Sequence, residues 1–216
     1  MCSHGPVDWD AAAAKAIVRY EGGASRGLDQ RQLTQLANAA WAAGLSLLMA
    51  HRPDESAVWL QRAAERYRES WDGAPPDSWG RPIAAMKSLL LAGEDPGDAA
   101  RWALDARAAD ATSPIGPYAA ALAYLVLRDE DAARALGETL RDRGDFPHAV
   151  ADALVAIASS DRATFGDALE VLLDDFERRT DFLEDVPVAD TVLVLHRLAT
   201  DCGLAPSELR ASPRLP

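Results

Sequence analysis

The sequence predicts an all-α protein of about ten helices, packed as antiparallel hairpins within a single domain. Alanine recurs in runs, as at residues 11–14 and 119–121, and it favours helices because it loses no side-chain entropy on folding. Apolar residues recur at three- and four-residue spacing, which is the period of one helix face. No segment alternates between apolar and polar residues, so we expect no β-strands.

Turn residues divide the chain into these helices. A carboxylate accepts hydrogen bonds from the free amides of a first turn, which makes Asp8, Asp29 and Asp54 the predicted caps of the first three helices. Glycine and proline mark helix ends, and Pro187 suits the first turn of the last helix. The predicted helices cover residues 9–20, 30–50, 55–70, 83–92, 97–109, 118–127, 129–141, 147–158, 162–179 and 187–202.

The widest gap between predicted helices, residues 71–82, is rich in proline and glycine. It places Pro75 and Pro76 between Gly73 and Gly80, and these residue types favour turns over helix. This stretch is the best candidate for an internal boundary or for a functional loop. Residues 204–216 are predicted to form a proline-containing tail after the last helix.

One helix pair in the first half of the chain resembles a tetratricopeptide unit, a helical hairpin of about 34 residues with small residues at the crossing. Gly44, Leu47, Leu60 and Ala63 fall on the small and large positions of that pattern. Later pairs also have alanine-rich crossings, but their spacing drifts and the proline at the repeat end is missing. The sequence therefore predicts either a tetratricopeptide-like array or an irregular helical bundle.

The charge balance excludes some classes of partner. The chain has 34 acidic and 22 basic residues, for a net charge of −12. Nucleic acids and anionic membranes require a basic surface, so we expect neither as a partner. The charge is compatible with a basic protein partner, and equally with an acidic surface that only keeps the protein in solution.

Cysteine content and hydropathy indicate where the chain resides. Cys2 and Cys202 are the only cysteines and lie at opposite ends of the sequence, so we expect no disulfide framework and a reducing cytoplasm. The first residues lack the basic and apolar regions of a signal peptide. No window of about 18 uncharged apolar residues occurs, so no membrane-spanning helix is expected.

No motif in the sequence makes a complete catalytic or metal site. Residues 23–27, Gly-Ala-Ser-Arg-Gly, match the nucleophile-elbow pattern, but that motif needs a strand before Ser25, and a helix is predicted there. The four histidines are not at metal-ligand spacing; they are His4, His51, His148 and His196. We therefore expect no catalytic residue, no cofactor and no metal.

An acidic run begins on the most regular amphipathic helix, residues 162–179. Its carboxylates are Asp174, Asp175, Glu177, Asp181, Glu184 and Asp185. The only positive charges close to them in sequence are Arg178 and Arg179. Such a run is a solvated face, a patch that binds a partner, or a carboxylate pair for acid–base chemistry. We select it as the candidate partner-binding site and keep the solvated face as the alternative.

Two of the six tryptophans, Trp71 and Trp79, flank the loop at residues 71–82. Aromatic residues on loops are enriched at interaction hot spots, but they also fasten loops to a core. Trp71 and Trp79 therefore join the candidate partner-binding residues, with loop packing as an equal alternative. The tryptophans on helical stripes, Trp41, Trp59 and Trp102, are predicted to be core residues.

Three segments in the second half of the chain carry a family resemblance. Residues 117–131 form a helix of small and aromatic residues that ends in an Arg-Asp turn, and residues 161–169 read D-x-x-x-F-x-x-A-L. Residues 198–216 read L-A-x-x-x-G followed by S-x-x-L-P. In this order the segments resemble the bacterial immunity protein 49 family, over residues 115–216. The resemblance implies an all-α protein from a polymorphic-toxin locus that binds a toxin and blocks it without catalytic residues.

Three classes of function follow from these observations. The first is a non-enzymatic protein-binding module, of which an immunity-type inhibitor of a basic toxin domain is one form. The second is a helical-repeat scaffold or regulatory subunit that presents an extended concave surface. The third is a hydrolase that uses carboxylates in a helical cleft.

Overall fold

Every α-helix predicted from the sequence is present in the structure. The computed structural model describes residues 7–206 and 208–216, and in those ranges it contains ten α-helices, two 3₁₀ turns and no strand. The all-α prediction is therefore confirmed. The α-helices are α1 (Trp9–Gly23), α2 (Gln30–Met49), α3 (Pro53–Glu69), α4 (Gly80–Ala92), α5 (Gly97–Asp105), α6 (Ile115–Val126), α7 (Glu130–Arg141), α8 (His148–Ala158), α9 (Arg162–Arg178) and α10 (Asp190–Asp201). The 3₁₀ turns are Ala108–Asp110 and Leu183–Asp185.

Capping by aspartate explains why several helices begin where the sequence predicts. The Asp29 carboxylate accepts from the amide of Gln32 at 2.8 Å, and the Gln32 side chain accepts from the amide of Asp29 at 3.0 Å. This reciprocal capping box satisfies two amides that have no partner within α2. Asp8 caps α1 in the same way, through the amide of Ala11 at 3.0 Å.

Four predicted helix starts differ from the structure by two or three residues. Helices α4 and α6 each begin three residues earlier than predicted, so the loop after α3 ends before residue 80. The start of α3 is Pro53, so Asp54 lies in the first turn instead of capping the helix. Proline suits that position because its missing amide would have no partner there. The start of α10 is Asp190 and not Pro187. The amide of Ala189 donates to the carbonyl of Arg214 at 2.9 Å, so this stretch pairs with the tail before the helix begins.

The helices form two layers. Consecutive helices pack against each other from α1 to α9, and α6 also contacts both α4 and α8. We call α2, α4, α6 and α8 the inner layer and α1, α3, α5, α7 and α9 the outer layer. Residues of α6 are buried almost all round, from Gly116 to Ala123, because this helix lies between other helices on several sides.

Glycine allows the close approach of two helix pairs. A Cβ atom on Gly44 would lie 2.6 Å from Cγ of Leu60, and a Cβ atom on Gly137 would lie 2.7 Å from Cγ2 of Val155. Neither distance is compatible with a side chain, so both crossings require glycine. The first of these crossings, between α2 and α3, involves the Gly44 and Leu60 pair that the sequence pattern placed there.

The last helix returns across the inner layer. Helix α10 packs against α4 and α8 as well as α9, and the 3₁₀ turn Leu183–Asp185 packs against α2. Val192, Val194 and Leu195 are completely buried. In an open helical array this inner face would be a concave binding surface. Here the chain covers it with its own residues 183–201.

Polar contacts fix both ends of α10. At its start, Lys87 of α4 donates to Asp190 Oδ2 at 2.5 Å and to Thr191 Oγ1 at 3.0 Å. Burial alone would lower the pKa of the Lys87 ammonium, but the adjacent Asp190 carboxylate outweighs this effect and the pKa is raised. At its end, the Arg128 guanidinium donates to the carbonyl of Asp201 at 2.6 Å, where a cation complements the helix dipole.

The tail also packs back onto the body of the protein. The Arg214 guanidinium lies over the ring of Phe182, 4.9 Å from its centroid. Leu209 and Leu215 are partly buried against the core. As predicted, the described residues of the tail contain no helix.

The described residues bear on the prediction about membrane-spanning helices and on one of the two cysteines. Within the described ranges, no helix is both long and apolar enough to cross a bilayer. Cys202 carries a free thiol. Cys2, His4 and the N-terminal stretch compared with a signal peptide lie outside the described residues.

The amphipathic face of α9 provides a direct stability test. Leu172 is 5% exposed, whereas the adjacent Val171 is 56% exposed. Leu172→Ala removes buried methyl groups and leaves a cavity, so the free energy of unfolding should fall by about 2–5 kcal/mol in chemical denaturation. The control Val171→Ala should change it by less than about 0.5 kcal/mol. Equal losses would show that the wrong face of α9 packs inward.

Candidate functional site

The acidic run on α9 is bound by the chain's own tail. The Arg210 guanidinium donates to Glu177 Oε1 and Asp174 Oδ1, each at 2.6 Å, and to Glu170 Oε2 at 2.8 Å. The Ser212 hydroxyl donates to Glu177 Oε1 at 2.7 Å. Three carboxylates therefore share one guanidinium, and the tail occupies the place that a basic partner was predicted to take.

Two more carboxylates of the run are also paired. Asp175 accepts from Arg179 at 2.5 Å, and Glu184 forms an ion pair with Arg19 of α1. The carboxylates of the run that form no ion pair within residues 7–206 and 208–216 are Asp181 and Asp185. Four of the six carboxylates of the run are therefore paired within the molecule, although the three guanidinium groups that pair with them leave the patch with a net negative charge.

The charges that balance this run come mainly from distant parts of the chain. Arg178 and Arg179 were predicted to be the only nearby positive charges, but Arg210 and Arg19 supply most of the pairing. These arginines are distant from the run in sequence, and they lie beside α9 and its following turn only because the tail and α1 pack there.

Trp71 and Trp79 belong to an aromatic cluster that packs the loop onto α5. The Trp71 ring lies 5.8 Å from that of Trp79 and meets the Trp102 ring edge to face at 5.3 Å. Trp79 is buried, and its indole N–H donates to Asp77 at 3.1 Å. These contacts match the loop-packing alternative for the two residues, with Trp71 still partly exposed.

Ser25 lies in the exposed loop between α1 and α2. It lines a recess of about 560 Å³ together with Arg19, Gln32 and Gln35. Helix α1 precedes it, so the strand that a nucleophile elbow requires is not there. Across the described ranges, no group of three histidine, cysteine, aspartate or glutamate side chains converges to hold a metal.

A groove between α3, α4 and α5 combines an apolar floor with an acidic rim, and we call it the outer groove. Its volume is about 610 Å³, which is within the range of ligand-binding clefts. The floor consists of Ala64, Ala85, Leu89, Ala99 and Trp102. The rim carries Glu65, Glu94, Asp95 and Asp98, all of them exposed. Four carboxylates thus surround an apolar strip.

The outer groove lies on the side of the array away from α10. Ala85 is two residues from Lys87, and two residues turn an α-helix by about 200°. Because Lys87 contacts α10, Ala85 and Leu89 face the opposite side of α4. Helix α10 therefore covers the inner face without covering the outer groove.

The rim carboxylates retain capacity to bind cations. Asp98 pairs with Arg101 at 2.7 Å on the helix surface, and Glu94 accepts from the Gln61 amide at 2.7 Å. Glu65 forms no ion pair with any residue in the described part of the chain. Exposed pairs of this kind are weak and exchange readily with another cation.

One arginine lies inside the groove, over its aromatic floor. The guanidinium carbon of Arg68 is 4.8 Å from the centroid of the Trp102 ring. Trp102 is 8% exposed, and its indole N–H has no hydrogen-bond partner among the residues that the structure describes. The ring is therefore held by packing against Trp71 and by the cation above it.

Comparison of the chain with family models, curated proteins and solved structures found no match. The resemblance to the immunity protein 49 family remains a prediction from the sequence motifs. The outer groove is identified from its geometry and charge.

The outer groove was not predicted from the sequence, because its lining comes from three helices. Glu65, Leu89 and Trp102 each fit an ordinary surface or core position on their own helix. The local signal was the acidic turn between α4 and α5, where Glu94, Asp95 and Asp98 lie close together in sequence. The apolar floor of the groove forms only when α3 and α5 pack against α4.

The Arg210 contacts predict a pH-dependent stability. Hydrogen bonds from Arg210 and then Ser212 lower the pKa of Glu177 below its ordinary value of 4.5. A carboxylate with a lowered pKa stabilises the fold above its unfolded pKa, and that contribution disappears as pH falls through the folded pKa. In urea unfolding, Arg210→Ala should therefore be less stable than wild type near neutral pH, and the difference should shrink below about pH 4.5.

Arg178→Ala is the matched control for this experiment. Arg178 is exposed at the end of α9 and forms no ion pair within the described residues. Its loss should leave the pH dependence unchanged. An Arg210→Ala defect that stays the same from neutral to acidic pH would contradict the proposed role of these ion pairs.

Proposed function

We propose that this chain is a non-enzymatic protein-binding module that neutralises a basic toxin domain by binding it in the outer groove. The observation that carries the proposal is the exposed acidic rim around an apolar floor. Protein interfaces commonly combine an apolar centre with a polar rim. An apolar side chain of the partner would pack on Leu89 and Trp102, and its cations would pair with the rim.

The covered inner face supports this proposal over a peptide-binding scaffold. A scaffold built from helical hairpins would present its concave face to the ligand. That face is covered by α10, whose side chains Val192, Val194 and Leu195 are buried. Binding there would require removal of a packed helix and of the Lys87–Asp190 ion pair.

The charge of the chain supports a basic partner. A net charge of −12 attracts cationic proteins and accelerates their association, most strongly at low salt. The rim directs a cationic partner to the groove, because the groove lining contains four carboxylates and one guanidinium, that of Arg68.

The carboxylates of α9 give little support to the hydrolase alternative. A general acid needs a raised pKa so that it holds its proton near neutral pH. Hydrogen bonds from Arg210 lower the pKa of Glu177 instead. These contacts suit attachment of the tail better than proton transfer.

Sequence features support the more specific parts of the proposal. Residues 115–216 resemble the immunity protein 49 family, which supports toxin neutralisation as the purpose of binding. The low cysteine count supports a place in the reducing cytoplasm.

The test is a growth assay with cells that produce a basic toxin domain, chosen by searching the genes that neighbour the gene for this chain. Wild type should restore growth and form a stable complex with the purified toxin domain. Glu65→Gln combined with Asp98→Asn removes two rim charges. This double variant should associate about three- to tenfold more slowly at low salt, with a smaller difference at high salt.

The matched control is Glu138→Gln combined with Asp131→Asn on α7. Asp131 pairs with Arg134 three residues later, as Asp98 pairs with Arg101, so both double variants remove equivalent charges. Equal slowing by the two would show that only net charge matters. Failure of the wild type to protect cells or to bind the toxin would overturn the proposed function.

A further inference from the structure

We propose that the outer groove selects arginine, and that a partner's guanidinium replaces that of Arg68 on the face of Trp102. The inference rests on the proposed function, because it specifies which chemistry of a basic protein partner the groove recognises. Three features of the groove support it: the stacked cation, its freedom to move and the carboxylates around it.

The groove already holds a guanidinium over its floor. Arg68 lies 4.8 Å from the centroid of the Trp102 ring, within the distance at which a cation and an aromatic face attract. Tryptophan is the strongest aromatic partner for a cation, and arginine is the more frequent cation in such pairs. The floor is thus suited to a planar cation as well as to an apolar side chain.

Arg68 is not fixed in this position by an ion pair. It is exposed, and within the described ranges no carboxylate lies within ion-pair distance of it. An exposed side chain changes rotamer within nanoseconds. Arg68 can therefore move into solvent and leave the Trp102 face to an incoming group.

The rim would favour an incoming arginine over a lysine. Glu65 lies on the α3 side of the groove, and Glu94 and Asp98 lie on the α4–α5 side. A guanidinium can stack on a ring and donate in its own plane to carboxylates at the same time. An ammonium is compact and strongly hydrated, and it cannot combine these two contacts in the same way.

Helix α3 also carries a second stacked pair outside the groove. The Arg62 guanidinium lies over the Trp59 ring at 4.4 Å, and Arg62 is not among the residues that line the outer groove. Arg62→Ala and Arg68→Ala therefore remove the same charge and the same type of contact from one helix. Only the second change opens the floor of the groove.

The test uses the full chain and three short leucine-containing peptides. They are identical except that two central positions are arginine, lysine or citrulline, the last being a neutral analogue of arginine. Calorimetry gives the affinities, and the NMR signal of the Trp102 indole N–H reports where the peptide binds. The arginine peptide should bind most tightly, citrulline least tightly, and the arginine peptide should shift the Trp102 signal.

The variants of α3 provide the decisive comparison. Arg68→Ala removes the resident cation, so it should tighten binding of the arginine peptide about two- to fivefold. Arg62→Ala should have a much smaller effect. Circular dichroism should show that both variants remain folded, since both side chains are exposed.

Two results would overturn the inference: equal binding of the arginine and lysine peptides, or an Arg68→Ala variant that binds no better than Arg62→Ala. If either occurs while the rim variant still binds toxin slowly, arginine selection fails and the proposed function stands. If the peptides behave as expected while the wild type neither protects cells nor binds the toxin domain, the arginine site stands and the proposed function fails.

Discussion

The apolar inner layer of this helical array must be covered, and the chain covers it with its own α10. Helix α6 is buried along most of its length, and removal of α10 would expose apolar surface at a cost of about 25 cal/mol per Å². Lys87 makes the arrangement specific, because its side chain is only 11% exposed and Asp190 is its counter-ion. A buried charge that loses its partner destabilises a protein strongly, so α10 is held in one position.

This constraint determines which surfaces remain for binding. With residues 183–201 across the inner face, a partner meets the outer layer first. The tail packs on α9 in a similar way. There Arg210 forms ion pairs with three carboxylates that would otherwise attract a cation from a partner. The outer groove differs from both places, since no residue of α10 or of the tail lines it and its floor contains the Trp102 ring.

Local features were predictable from the sequence, and contacts between distant residues were not. Aspartate caps and alanine-rich stretches located the helices because capping and propensity act within a few residues. The return of α10 depends on Lys87 and Asp190, which lie 103 residues apart, and nothing in either local sequence indicates the pairing. The same limit hid the Arg210 contacts and the outer groove. The helical stripe of apolar residues on α5 did predict that Trp102 is buried.

Hydrogen exchange of the α10 amides in the free protein tests the closed inner face most directly. Exchange is followed at increasing denaturant and compared with the amides of α6, which report global unfolding. If α10 is an integral part of the core, the amides of Leu195 and Leu198 should exchange with the same free energy and denaturant dependence as those of α6. Exchange of α10 at a markedly lower free energy, while α6 stays protected, would show that the inner face opens on its own and would contradict this account.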